Sequence, residues 1–534
     1  MRRVAMVLVL ALAGCVWPIA QAVAGGSTVT AAQAPDALQA DFNNDGADDL
    51  AVGVPEEDVG GAVDAGAVNV LYGSGAGLTG TGAQQFTQVG SAAETGDEFG
   101  WSLASGDFNN DGFADLAVGA PFENVGATVD AGAVSVLYGS AGGLTTSGGQ
   151  LFVQPVSAVE AGDEFGFSLA AGDFNNDGIA DLGVGAPFEN VGATANAGAV
   201  SALYGSAGGL GTTGAQTFVQ PVSAVETEDG FGFSLASGDF DNDGFADLGV
   251  GAPFEAVGSI VEAGAVSALY GSGGGLSTSG AQTFVQPVSA VEELDGFGWS
   301  LAAGDFDNDG FADLGVGAQG ESVGRIFAAG AVSALYGSAN GLTTSGAQTF
   351  VQPVSAVEEE DRFGWSVAAG DFNNDGSADL AVGAFTEAVG TRIDAGAVSA
   401  LYGSAGGGLT TSGAQTFVQV GGAVEAGDLF GAALASGDFD NDGFADLAAG
   451  APGESVGSVI GAGAVSALYG SAGGLTTSGG QLFTQNSAGV PGTAEAFDFF
   501  GDALAVGDTG PAATATSPSG NKPSGTRRTT STRH

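Results

Sequence analysis

Seven short stretches of this sequence place acidic or amide side chains at alternate positions around a glycine, a pattern suited to holding a hard cation. They begin at Asp41, Asp107, Asp173, Asp239, Asp305, Asp371 and Asp438, and each reads Asp-Phe-Asn/Asp-Asn-Asp-Gly. Calcium takes six to eight oxygen ligands at roughly 2.3 to 2.6 Å. Side chains at positions 1, 3, 5 and 9, joined by the position-7 carbonyl, would supply several at once, and the position-6 glycine permits the sharp turn.

The candidate ligands are therefore Asp41, Asn43, Asp45, Ala47 and Asp49 in the first loop, and Asp107, Asn109, Asp111, Phe113 and Asp115 in the second. The third has Asp173, Asn175, Asp177, Ile179 and Asp181; the fourth Asp239, Asp241, Asp243, Phe245 and Asp247. Asp305, Asp307, Asp309, Phe311 and Asp313 follow, then Asp371, Asn373, Asp375, Ser377 and Asp379, and finally Asp438, Asp440, Asp442, Phe444 and Asp446. Position 12 is not Glu (it is Val118 in the second loop), and no helix pattern flanks the loops, so the expected site is a nine-residue β-hairpin variant. Asp-Asn-Asp-Gly is also a good plain hairpin turn. Sevenfold recurrence favours metal, because three or four carboxylates in one small loop repel unless a cation sits among them. About seven calcium ions, one per loop, are expected.

Other chemistry is scarce. His534 is the only histidine and Cys15 the only cysteine, which removes Ser-His and Cys-His nucleophilic machinery. Glu292, Glu293 and Asp295 lie close enough in sequence to suggest a carboxylate pair for polysaccharide chemistry. Acids that recur in almost every repeat look like scaffold instead, so no enzyme is expected. With 61 acidic residues against nine basic ones, the formal charge of -52 repels phosphate backbones and excludes nucleic acid as a partner.

The loops recur every 66 residues, with one interval of 67, which is room for four strands. In the third unit Phe165, Phe167 and Leu169 alternate with small residues as a half-buried strand would, followed by expected strands over 180–185, 199–204 and 216–220. The expectation is an all-β fold, a seven-bladed β-propeller of four-stranded blades, with an open solenoid as the competing architecture. The chain ends discriminate. The Phe-Gly pair occurs at Phe99, Phe165, Phe231, Phe297, Phe363, Phe430 and Phe500, one step out of phase with the loops. The first loop thus lacks a preceding strand that the C-terminal one supplies, as a closed ring requires. Leu38–Ala40 remains an alternative stub for that strand.

Residues 1–24 read as a secretory signal peptide with small residues before Gly25, although Leu12-Ala13-Gly14-Cys15 also resembles a lipobox for lipid anchoring. A linker over 25–36, the propeller over 37–508 and a disordered basic tail over 509–534 complete the expected organisation. No later stretch is apolar for long enough to cross a membrane as a helix.

The Phe-Gly pair, the Asp-rich loop and the following Gly-Ala-Pro, as at Gly119-Ala120-Pro121, together resemble the FG-GAP repeat that builds the head propeller of integrin α subunits. Departures are small: Gly53-Val54-Pro55, Gly317-Ala318-Gln319 and Gly383-Ala384-Phe385 replace Gly-Ala-Pro. The resemblance implies a secreted, monomeric recognition or adhesion platform, with calcium loops opposite the ligand face. That face would include Phe122 to Asp130 and Ser157 to Glu164, and its acidity suits a protein or glycan ligand that is cationic or metal-bridged. Trp101, Trp299 and Trp365 read as packing residues. A structural role in a calcium-stiffened surface layer is the alternative.

Overall fold

The computed structural model describes residues 41–155, 159–221, 225–287, 291–353 and 357–506. The expected signal peptide, lipobox, linker, 38–40 stub and 509–534 tail lie outside the described residues. Within them the chain forms seven four-stranded antiparallel sheets and no helix.

In blade 2 the strands run Ser102–Gly106, Asp115–Ala120, Ala133–Tyr138 and Thr145–Phe152, each paired to the next. The first strands of all seven blades neighbour one another in a closed circle, so they form the inner wall of a propeller. Blade 1 is completed from the far end of the chain: Leu504–Val506 pairs with Leu50–Val54, matching Leu50 to Val506 and Val52 to Leu504. The ring closes as the phase offset in the sequence requires.

Seven apolar clusters fill the seams between adjacent blades. Between blades 2 and 3, for example, Phe108, Val134, Val136 and Phe152 pack on Phe165, Leu169, Leu182 and Val184. Because both faces of every blade are covered, the two middle strands are buried at nearly every position, while the outermost strand is half exposed. Small residues bring the blades close enough to interlock. A Cβ on Gly119 would lie 2.1 Å from the carbonyl oxygen of Gly166 in the next blade, and Gly166 itself holds a φ of 93°. The two motif glycines are thus pressed together across the seam.

That contact shifts the expected strand boundaries. Phe165–Phe167 turn into the inner strand, which begins at Ser168, and the left-handed Gly166 is what keeps them out of the ladder. The outermost strand starts earlier than expected, at Gly211, and runs to Phe218. On the rim, a tyrosine of one blade clasps the next: Tyr72 bonds Gln84, the Leu144 amide donates to the Tyr72 hydroxyl at 3.3 Å, and Gln84 Nε2 donates to the Leu144 carbonyl at 3.2 Å. The same clasp spans the closing seam, where Leu78 N donates to Tyr469 at 3.1 Å.

Candidate metal centres

Six of the Asp-rich loops join an inner strand to the second strand of the same blade, and the first leads into Leu50–Val54, the second strand of blade 1, so all seven lie at one end of the ring. Position 9 opens the second strand and anchors the loop. Asp115 Oδ2 accepts from Phe108 N at 2.9 Å, and its Oδ1 accepts from Gly139 N, at the end of the third strand, at 2.8 Å. The equivalent pair of bonds exists in every blade. Burial, with neighbouring aspartates adding to it, pushes all seven of these carboxyls up to about 8.

Position 1 closes the turn, its carboxylate accepting the glycine amide, as from Gly112 to Asp107 at 2.8 Å. Position 5 accepts the position-7 amide, as from Phe113 to Asp111 at 3.1 Å. In the fourth, fifth and seventh loops the carboxylate oxygens at positions 1, 3 and 9 all lie within 4.8 Å of one another: Asp239, Asp241 and Asp247; Asp305, Asp307 and Asp313; Asp438, Asp440 and Asp446. Position 5 stays outside that mutual group and meets position 3 instead, as Asp243 meets Asp241.

Position 3 is where the residues present can be tested against a cation. Oδ1 of Asp241, Asp307 and Asp440 is buried without a hydrogen-bond partner, as is Oδ1 of Asn109. Burial and then the Asp243 and Asp239 charges push the Asp241 carboxyl up to about 6. An orphaned buried oxygen beside two carboxylates fits a cation and leaves a plain hairpin turn with an uncompensated group. In the third and sixth loops Asn175 and Asn373 donate from Nδ2 to the position-9 carboxylate, at 3.1 and 3.3 Å.

The loops also form a hoop. The position-8 amide of each donates to the position-1 carbonyl of the loop before it, at 2.8 to 3.2 Å, from Ala114 to Asp41 round to Asp48 to Asp438.

The opposite end of the ring has different chemistry. The residue after each Phe-Gly is aromatic in five consecutive blades: Trp101, Phe167, Phe233, Trp299 and Trp365, with ring centroids 4.9 to 5.5 Å apart from blade to blade. Ala432 and Asp502 take that position in the other two blades. Asp502 is buried beside Glu56, and burial followed by the Glu56 charge raises its pKa well above the usual carboxylate range. The tryptophans are packing residues, as their position in the sequence implies, but they pack with each other into an arc that is interrupted at one place.

Among the described residues, every large hydrophobic side chain left exposed is on this end. Val63, Val129, Val261, Phe327, Ile393 and Ile460 tip the loops after the second strands, and Leu294 and Phe497 lie in the loops before inner strands. Sequence reasoning missed this crown because its residues differ from repeat to repeat. Their shared offset, two residues before each Ala-Gly-Ala-Val, was the available signal for the six loop tips. Asp295, considered above with Glu292 and Glu293, accepts the Glu292 backbone amide at 2.6 Å and pairs with Glu321 from across the blade. This Asp-Glu arrangement recurs round the ring.

A seven-bladed propeller with one acidic hairpin per blade is therefore the class this chain defines. The FG-GAP repeat family matches residues 99–137, 165–203, 231–269, 297–335, 363–401 and 430–468, blades 2 to 7. The chain is an FG-GAP repeat β-propeller of the integrin-α-like kind. Blade 1 escapes the match because its inner strand lies at the other end of the chain. Relatives include phosphatidylinositol-glycan-specific phospholipase D of Rattus norvegicus, 36% identical over 32% of this chain and 20% of that protein. Integrin alpha-5 of Xenopus laevis is 33% identical over 45% of this chain and 22% of its own, and Integrin alpha-PS5 of Drosophila melanogaster 38% identical over 30% and 15%. The chain spans about a fifth of the length of the first two. A Bacillus licheniformis rhamnogalacturonan lyase aligns at a TM-score of 0.30 and 11% identity, covering 67% of this chain and 74% of that one.

Proposed function

We propose that the protein is an extracellular, non-catalytic recognition platform whose hairpins are stiffened by calcium and whose opposite face takes the ligand. The observation that carries this reading is the segregation of the surface: all exposed large hydrophobics of the described residues crown the end away from the Asp-rich loops. Contiguous or convergent apolar exposure on a secreted protein marks a binding surface.

In each hairpin, positions 1, 3 and 9 would hold the ion directly, with position 5 and the position-7 carbonyl completing its oxygen shell. The ion would supply the positive charge that the loop lacks and fix the inner strand to the second and third. At the other end, the acidic loops that carry the exposed apolar tips suit a cationic ligand with apolar surface.

Among the described residues no helix is long and apolar enough to cross a membrane. Secretion is proposed here on the N-terminal sequence and the likeness to integrin α.

Binding to peptide and glycan arrays tests the reading. Capture by the wild-type chain that is weakened by Phe327→Ser and Ile393→Ser, with folding unchanged, supports it. Binding that ignores both substitutions but is lost when the hairpins are altered would place the ligand on the wrong face.

A further inference from the structure

The hairpins are not the only buried acids that lack positive partners. In blade 2 Asp97, just before the inner strand, is 0% exposed, and Glu123, just after the second strand, is 6% exposed. Their carboxyls are in hydrogen-bonding contact. Gln88, arriving from the outermost strand of blade 1, is 8% exposed, and its amide lies against the same glutamate without a hydrogen bond of good geometry at either atom. Apart from that carboxyl–carboxyl contact, no N–H or O–H donor reaches the buried Asp97 Oδ1 or Glu123 Oε2 in good geometry. Blades 3 to 7 repeat the aspartate, the glutamate and a glutamine at most 4% exposed. The glutamate Oε2 is orphaned in blades 3, 4, 6 and 7, whereas in blade 5 Gln286 Nε2 donates to Glu321 at 3.2 Å and the orphans are Gln286 Oε1 and Asp295 Oδ1.

Blade 1 is an internal control. There Glu57 receives two amides, Gln85 Nε2 at 3.3 Å on Oε1 and Gln485 Nε2 at 2.6 Å on Oε2. The counterpart of Gln85 is Leu or Thr in the other repeats, as at Leu151 and Thr217. The second amide leaves no orphan on Glu57, although Gln485 Oε1 stays unpartnered as its counterparts do; in blades 2, 3, 4, 6 and 7, which lack that amide, the glutamate keeps an orphaned oxygen.

Two carboxylates in contact inside a protein need compensation. Only three arginines fall in the described residues, and of these Arg392 alone acts on one of the pairs, at Asp428. A shared proton would neutralise a single charge and leave the glutamine oxygen unsatisfied. A hard divalent ion would balance both charges and use all three oxygens. We propose that blades 2 to 7 each hold a second cation site on the face opposite the hairpins, formed by the aspartate and glutamate carboxylates and the glutamine carbonyl.

Counting calcium bound per folded chain by equilibrium dialysis at millimolar calcium tests this, with the triple substitution E123Q/E189Q/E255Q beside wild type. The expected result is three fewer ions in the variant, with the hairpin-bound ions retained. An equal count in both overturns the proposal and assigns a shared proton to the pairs. A second measurement needs no variant. Trp101, Trp299 and Trp365 lie on this face and, among the described residues, no tryptophan adjoins the hairpins, so tryptophan-sensitised terbium luminescence that calcium competes away is expected. Its absence, with terbium bound in the hairpins, also overturns the proposal. Failure of the hairpins to bind calcium would instead leave only the second-site ions, about six in wild type and about three in the variant.

Discussion

The amide of Asp48 donates to the carbonyl of Asp438 at 2.9 Å, while Asp48 Oδ2 accepts the Asp438 amide at 2.7 Å. This reciprocal clasp joins the first Asp-rich loop to the last. The other six loops have Ala at the position of Asp48, so the backbone bond recurs and the side-chain bond does not. Asp48→Ala is expected to weaken the closing seam alone, by about 1 to 2 kcal/mol for a buried hydrogen bond to a carboxylate. Urea unfolding of the two chains in calcium checks this; an unchanged midpoint would mean that the clasp is solvated.

Calcium removal should lower the melting temperature steeply. At millimolar calcium, a site of about 10⁻⁴ to 10⁻³ M affinity adds about 0.4 to 1.4 kcal/mol by mass action. Several such sites together rival the net stability of a domain. Calorimetry with and without chelator measures the effect, and superimposable curves would refute a calcium-stiffened propeller.

Position 9 should matter more than position 5 for folding itself. Asp115→Ala orphans the buried amides of Phe108 and Gly139 and is expected to cost about 2 to 5 kcal/mol. Asp111→Ala frees only the half-buried Phe113 amide and should cost about 1 kcal/mol or less. Hydrogen exchange at Phe108 and Gly139 in chelator, where metal plays no part, separates the two.

The closing strand should be pH-sensitive. Burial, followed by the charges of Asp64 and Asp498, pushes Glu56 up to about 8, and Asp502 beside it lies higher still. Both folded values exceed the unfolded ones, so the stability they confer is full in acid and is lost as pH rises through about 8. In chelator, exchange of Leu504–Val506 is expected to quicken across that range, and Asp502→Asn should flatten the profile. A profile unaltered by Asp502→Asn would sink the assignment.

Much of this architecture is legible in the sequence because the repeat is nearly exact. Blade number and hairpin position follow from the sevenfold recurrence of the Asp-rich loop, and the closing strand from the offset between Phe99 and Asp41. Strand boundaries do not. Gly166 looks like one more small residue in an alternating run until its left-handed backbone and the Gly119 contact are known, and the Thr- and Gly-rich outer strand from Gly211 carries no apolar period. The Asp97–Glu123 pairing was hidden for another reason. The two acids are 26 positions apart, and only the return of the second strand to the same end of the blade brings them together.

The split of blade 1 between the chain ends has a consequence for how the ring fails. An in-phase array of repeats can fray one unit at a time from either terminus, losing one interface per step. Here, loss of Leu504–Val506 uncovers the seams on both sides of blade 1, because the three residues belong to the inner wall shared with blades 7 and 2. The two chain ends therefore fray as one event. A row of near-identical modules is thereby made cooperative by three residues.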